Sequence, residues 1–167
     1  MTKTASNFFA TWPENLPVTI CNGLPHTIGL TEMQSTSGTR QIERIGVMLF
    51  IRGLAAQAAV TMQLKAYVGA TLIGSSDLWT VSEITANYSS TDNFLGFCRF
   101  TFSPRLNLKA GGLTRLELVL GNYAFTEGTT WIGAVSDWPT TMGYNTTPGT
   151  ITAAPVAMEL YGYEALR

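Results

Sequence analysis

The sequence is short of charge. Asp, Glu, Lys and Arg make up 13% of its 167 residues, against roughly 25% in an ordinary domain. With apolar residues at 46%, the shortage excludes disorder, which needs low hydrophobicity and high net charge. Either the surface is rich in Thr, Ser, Asn and Gly, or part of it is buried against other chains. Depleted charge is typical of interface cores, so a substantial self- or partner-interface is expected. The net charge is −1 and Lys and Arg do not cluster, which argues against nucleic acid as a partner. The single histidine, His26, lies between Pro25 and Thr27 at the start of an expected strand. Any Ser-His-Asp or Cys-His site would have to use it, and its position reads as surface or capping. Cys21 and Cys98 are the only cysteines. One distant pair defines no disulfide framework and, with one His, no zinc site of usual composition. Both read as small buried hydrophobes. No stretch nears the ~18 apolar residues of a membrane span. Met1 to Asn7 has no signal-like apolar run, so a soluble chain is expected. No glycine cluster leads into a helix, which excludes a phosphate loop.

What the sequence has is alternation of period two. Ala58, Val60, Met62, Leu64, Ala66 and Val68 alternate with Ala59, Thr61, Gln63, Lys65 and Tyr67. This predicts a half-buried strand, although the Ala content would tolerate a helix. Leu116, Leu118 and Leu120 repeat the pattern, with Arg115 and Glu117 outward. Ile45, Val47, Leu49 and Ile51 share one face, and Met48 and Phe50 lie opposite with Arg44 and Arg52. Phe94, Cys98, Phe100 and Phe102 share another, with Leu95 and Phe97 opposite. Further strands are expected at about 18–22, 26–35, 71–76, 79–84, 130–135 and 156–163. Asn22-Gly23, Ser37-Gly38, Val68-Gly69, Ser103-Pro104 and Ala110-Gly111-Gly112 are the stops between strands. Residues 138–149 read as a long polar loop. No apolar stripe of helical period lasts beyond a turn or two. Eight to ten short strands with no helices between them leave a sandwich or a barrel. The aromatic, non-periodic residues 1–17 read as an irregular N-terminal arm, and 18–167 as one β-sandwich domain.

From Arg44 to Pro139 the chain carries an apolar strand ending in Arg52-Gly53, then Val60 to Tyr67, Leu72 to Ser76, and Val81 to Ile84. Phe100-Thr101-Phe102-Ser103-Pro104 and Leu106-Asn107-Leu108-Lys109-Ala110-Gly111 follow, then Leu116 to Leu120 and Trp131-Ile132-Gly133. In order and pattern this resembles the jelly-roll accessory modules of carbohydrate-binding domains, secreted surface proteins and bacteriophage virion proteins. The resemblance implies an all-β, antiparallel jelly-roll β-sandwich. In its most specific passage, Pro104 ends a strand ladder, Leu106 to Leu108 form a short edge strand and the glycine pair reverses the chain. Ala157 to Tyr163 would then close the fold near the first strand. Such modules often hold a structural calcium, but no Asp-x-Asp-x-Asp run is present and no ligands are assigned.

The carboxylates are scattered. Glu43 and Glu117 each have a nearby arginine and read as solvated strand faces. Asp77, Asp92 and Asp137 fall at turns or loops, where Asp is expected. This opposes a glycosidase pair, and no catalytic residue is expected. Tyr123, Trp131, Asp137 and Trp138 have the character of a sugar-stacking site; the competing reading is that such rings cap the core or anchor an interface. Phe8, Phe9 and Trp12 of the arm, with Met48 and Phe50, are the candidate oligomer or partner interface. The resulting expectation is a non-enzymatic structural protein of a phage-like virion, either a capsid decoration protein or a small fibre or spike component. It would assemble in the host cytoplasm, preferably as a trimer, and dock on a capsid or tail protein. The alternative is a carbohydrate-binding module or receptor-binding tip that recognises surface glycans.

Overall fold

The structure, a computed structural model, describes residues 4–5, 18–21, 26–34, 40–88, 92–109, 113–135, 143–145 and 158–164. Among these residues the chain is all-β apart from one helical turn. The strands are β1 (Thr4–Ala5), β2 (Val18–Cys21), β3 (Thr27–Gln34), β4 (Arg40–Arg52), β5 (Thr61–Val68) and β6 (Thr71–Ser75). They continue with β7 (Trp79–Thr80), β8 (Asn93–Leu108), β9 (Leu113–Gly121), β10 (Trp131–Val135), β11 (Gly143–Asn145) and β12 (Met158–Glu164). The turn α1 spans Val81–Thr85.

The strands form two sheets. Sheet A runs β1-β8-β4-β10-β2-β11, with β12 on β4 as well. Sheet B runs β3-β9-β5-β6, with β7 also on β5. All described pairings are antiparallel except β11 on β2. The thirteen residues of β4 organise sheet A. One edge pairs with β8 throughout, and the other takes β12 along Arg40–Val47 and β10 along Leu49–Arg52.

The alternation read from the sequence places the core between the sheets. Ile45, Val47, Leu49 and Ile51 from β4, Phe94, Cys98 and Phe100 from β8, and Leu64, Ala66, Leu116 and Leu118 from sheet B are all fully buried in one cluster. Cys21 and Cys98 are both buried in this cluster and are not joined in a disulfide; their strands are separated by β10 and β4.

Several expectations need correction. The strand expected at 79–84 stops at Thr80, and Val81–Thr85 is helical. Thr80 and Glu83 form a capping box, each side chain bonding the other's backbone N–H, and Val81 and Ile84 bury the inward side of the turn. Ala58 and Ala59 lie in an exposed turn, and the strand starts at Thr61. Ser103-Pro104, whose peptide bond is cis, does not end a strand. β8 bulges outward there: Ser103, Pro104 and Arg105 are exposed, while Leu106 and Leu108 are buried. Leu106–Leu108 pair with Arg40–Ile42, so they belong to sheet A and not to a separate edge strand. Pro104 needs no ladder partner because the bulge leaves its position outside the pairing. The closing strand β12 lies on β4, not beside the first strand. Thr4 and Ala5, within the segment read as irregular, pair with Phe97 and Gly96 of β8.

The bulge also ties the sheets together. Thr101 N–H donates to Asp77 Oδ1 (2.8 Å), and Asp77 N–H donates to Thr101 O (2.8 Å). Beside it, the Ser76 hydroxyl accepts from Leu64 N–H (2.9 Å) and donates to Asp77 O (2.7 Å). Asp77 therefore acts as a structural clamp at one corner of the sandwich.

Candidate interaction surfaces

The two outer faces of the sandwich differ in chemistry. On sheet B, β5 and β9 present Gln63, Lys65 and Tyr67 beside Arg115, Glu117 and Val119. Arg115 Nε pairs with Glu117 Oε1 at 3.1 Å, and its guanidinium sits 4.9 Å from the Tyr67 ring centroid. Glu117, expected on a solvated face, is only 7% exposed. Its partners explain this: Arg115 supplies the counter-charge, and Gly29 stands opposite it on β3 with no side chain to hold it away. Burial, and secondarily the Glu117 charge, push the Tyr67 hydroxyl above its ordinary pKa, with Arg115 opposing.

The middle of the outer face of sheet A is apolar, with Arg44, Arg52 and Arg99 on the same face around it. Met48 stands opposite Phe97, and Phe50 stands opposite Leu95 on one side and Gly133 on the other. Gly133 leaves room beside Phe50 for Trp131, whose ring centroid is 4.7 Å from that of Phe50. Phe50, Leu95, Trp131 and Val135 form a buried cluster of their own, with Met48 and Phe125 packed against it.

These positions revise the sequence-based assignments. Phe50, expected at an oligomer interface, is 6% exposed and already covered within the chain, whereas Met48 is half-buried. Trp131 and Tyr123, expected to stack on sugars, are both buried, so neither offers a ring face to a ligand. Tyr123 caps one end of the core. Its hydroxyl donates to Cys21 O (2.6 Å) and accepts from Ile132 N–H (3.3 Å), which joins the segment after β9 to β2 and β10. His26 meets the Tyr123 ring edge-on at 5.0 Å. Burial raises the Tyr123 pKa far above its ordinary value, against the opposing hydrogen bond from Ile132. Asp137, Trp138, Phe8, Phe9 and Trp12 lie outside the described residues.

Among the described residues, the large exposed apolar side chains are elsewhere. Val68, Leu72, Ile73, Leu78 and Leu113 are 44, 49, 37, 59 and 51% exposed. Val68 and Leu72 flank the β5–β6 turn at Gly69, whose φ is positive. The β5–β9 register ends at Tyr67 opposite Arg115, which puts Leu113 at this same end of sheet B. No charged residue lies between Val68 and Ser76. The sequence shows the apolar Leu72-Ile73 pair but not its exposure, which follows from β6 being an edge strand. Among the described residues, no three His, Cys, Asp or Glu side chains are grouped to hold a metal ion, and no helix is long and apolar enough to cross a membrane. Comparison of the chain with protein-family models, with curated proteins and with solved structures returned no match.

Proposed function

We propose that this chain is a non-enzymatic assembly module, a jelly-roll structural protein of a phage-like virion that acts by self-association and by docking on a capsid or tail protein. The strand order supports the jelly-roll reading. Numbered in chain order, β2, β3, β4, β5, β6, β8, β9 and β10 lie as 1-8-3-6 in sheet A and 2-7-4-5 in sheet B. This order is the one expected of the interlocked double Greek key in a two-sheet jelly roll, an architecture used in viral capsid and lectin domains, and it supports that reading.

The observation that carries the assembly reading is the exposed apolar end of sheet B. Val68, Leu72 and Leu113 lie at that end, each about half exposed, with Leu72 and Leu113 on the side of the sheet that carries Tyr67 and Arg115, in a chain of low charge. Contiguous exposed apolar surface marks interaction sites. A second copy is the occupant this end suits, because the uncharged stretch from Val68 to Ser76 lets two copies meet without like charges opposing. Closed symmetry would make the product a dimer or the trimer favoured for such virion pieces. Sedimentation velocity across the micromolar range tests this, together with co-sedimentation with particles from a host culture. Concentration-dependent oligomers are expected. A compact monomer at every concentration that joins no particle would overturn the proposal.

A further inference from the structure

We infer, resting on the assembly reading, that two copies of this chain meet face to face through the outer side of sheet B around Tyr67 and Arg115, and not edge to edge through β6. An open edge strand is the usual template for pairing with another chain. Two features close that route. β6 pairs with β5 through Ser75, Gly74, Leu72 and Thr71, and the register skips Ile73. A bulge at an edge breaks the row of N–H and C=O groups that an added strand needs. The far end of β6 is held by sheet A. Ser76 bridges Phe102 of β8, and a Cβ added at Gly74 would stand 3.0 Å from Leu106 Cδ1. Thr71 to Ile73 are left, which is only about 10 Å of strand.

The outer face offers more. Leu72 stands opposite Tyr67, and Tyr67 stands opposite Arg115. Leu113 lies two residues before Arg115 on β9, hence on the same side of the sheet. Leu72 and Leu113 are about half exposed, and Tyr67 and Arg115 beside them are half-buried. The Arg115 guanidinium lies 4.9 Å from the Tyr67 ring centroid. Each side chain thus constrains the other before a partner arrives, which lowers the ordering cost of a contact. Tyrosine and arginine are also among the residues that carry most of the energy in protein interfaces.

Charge selects a second copy as the occupant. A twofold contact sets a surface against itself, so a face of one sign would repel its copy. This face is mixed. Glu117 lies 3.1 Å from Arg115 and stands opposite Lys65 in the β5–β9 register. Glu117 is itself buried, so the counter-charge for Arg115 is already inside the chain. Covering the guanidinium therefore strands no unpaired charge, which is the costly event when an ionic group is buried. The uncharged β6 completes the rim.

Photo-cross-linking of the full chain tests the contact. p-Benzoylphenylalanine replaces Tyr67 or, in a second variant, Leu113, and a control carries it at Met48 on the outer face of sheet A. Equal amounts of ¹⁴N- and ¹⁵N-labelled protein are diluted together, reconcentrated, irradiated and mapped by mass spectrometry. Sedimentation velocity on the same samples reports association. The expected result is mixed-isotope cross-links from position 67 or 113 to peptides containing Tyr67, Leu72 or Arg115, and none from position 48. A folded variant at 67 or 113 that no longer associates, beside a control that does, supports the contact as well. In the unlabelled chain, Tyr67→Ala should weaken the dissociation constant by about tenfold. Associated samples that give no mixed-isotope products from 67 and 113 would overturn the face-to-face contact and leave self-association standing. A wild-type chain that stays monomeric at every concentration would overturn both.

Discussion

If the β5–β6 end of sheet B is the self-association surface, charging it should dissolve the oligomer and leave the fold intact. The double substitution Leu72→Lys and Leu113→Lys is the direct perturbation. Each leucine is about half exposed, so covering it recovers about half of the 1.5–3 kcal/mol that full burial of such a side chain is worth, or roughly 0.7–1.5 kcal/mol. In a twofold contact both residues count once from each copy. Four such half-burials sum to about 3–6 kcal/mol, which corresponds to a dissociation constant weakened by about 10²- to 10⁴-fold. Four opposed ammonium groups would weaken it further. The fold itself should change by no more than about 1 kcal/mol, because each substitution at an exposed position away from special features seldom costs more than about 0.5 kcal/mol. Sedimentation velocity gives the association constant and chemical denaturation gives the stability. An unchanged association constant in a folded double variant would refute the reasoning, and the contact would have to be sought on another face.

Tyr123→Phe should act in two pH ranges. It removes the bonds to Cys21 O and from Ile132 N–H, so stability near neutral pH should fall by about 1–3 kcal/mol in denaturant melts. The native Tyr123 hydroxyl holds its proton well above the ordinary tyrosine pKa, whereas the unfolded one releases it near pH 10. The native state then binds more protons, so wild-type stability should fall above pH 10 by up to about 1.4 kcal/mol per unit, and the Phe variant should lose that component. Trp131→Ala should behave as a packing defect, costing about 3–5 kcal/mol in the same melts; a variant of wild-type stability that lost binding to a glycan array would restore the sugar-stacking role. Gly162→Ala should loosen β12 from β4, because an added Cβ would collide with the Gln41 carbonyl oxygen; hydrogen exchange should show lost protection along Met158–Glu164 but not along β5.

Alternation made the interior strands legible because burial on one face leaves a period-two record in the side chains. Thr61–Val68, Leu113–Gly121 and the middle of Arg40–Arg52 were readable for that reason. Val81–Thr85 is ambiguous in the sequence because Val81 and Ile84 suit either period over so short a stretch, and the Thr80–Glu83 capping box decides for a turn of helix. Pro104 misled because its effect depends on whether the ladder needs that residue's N–H, and in the bulge of β8 it does not.

Composition and local pattern are enough to give the class of fold, the inward-facing residues of the main strands and the scarcity of charged groups. These are properties of local pattern and composition, and they do not depend on which strand lies beside which. What each outward-facing residue meets is a matter of tertiary contacts. Phe50 and Trp131 lie buried on one outer face, Glu117 lies buried beside Arg115 on the other, and Leu72 and Leu113 are left open at a sheet end. Periodicity assigns a side chain to a face. Whether that face is covered depends on strands and segments far away in the chain.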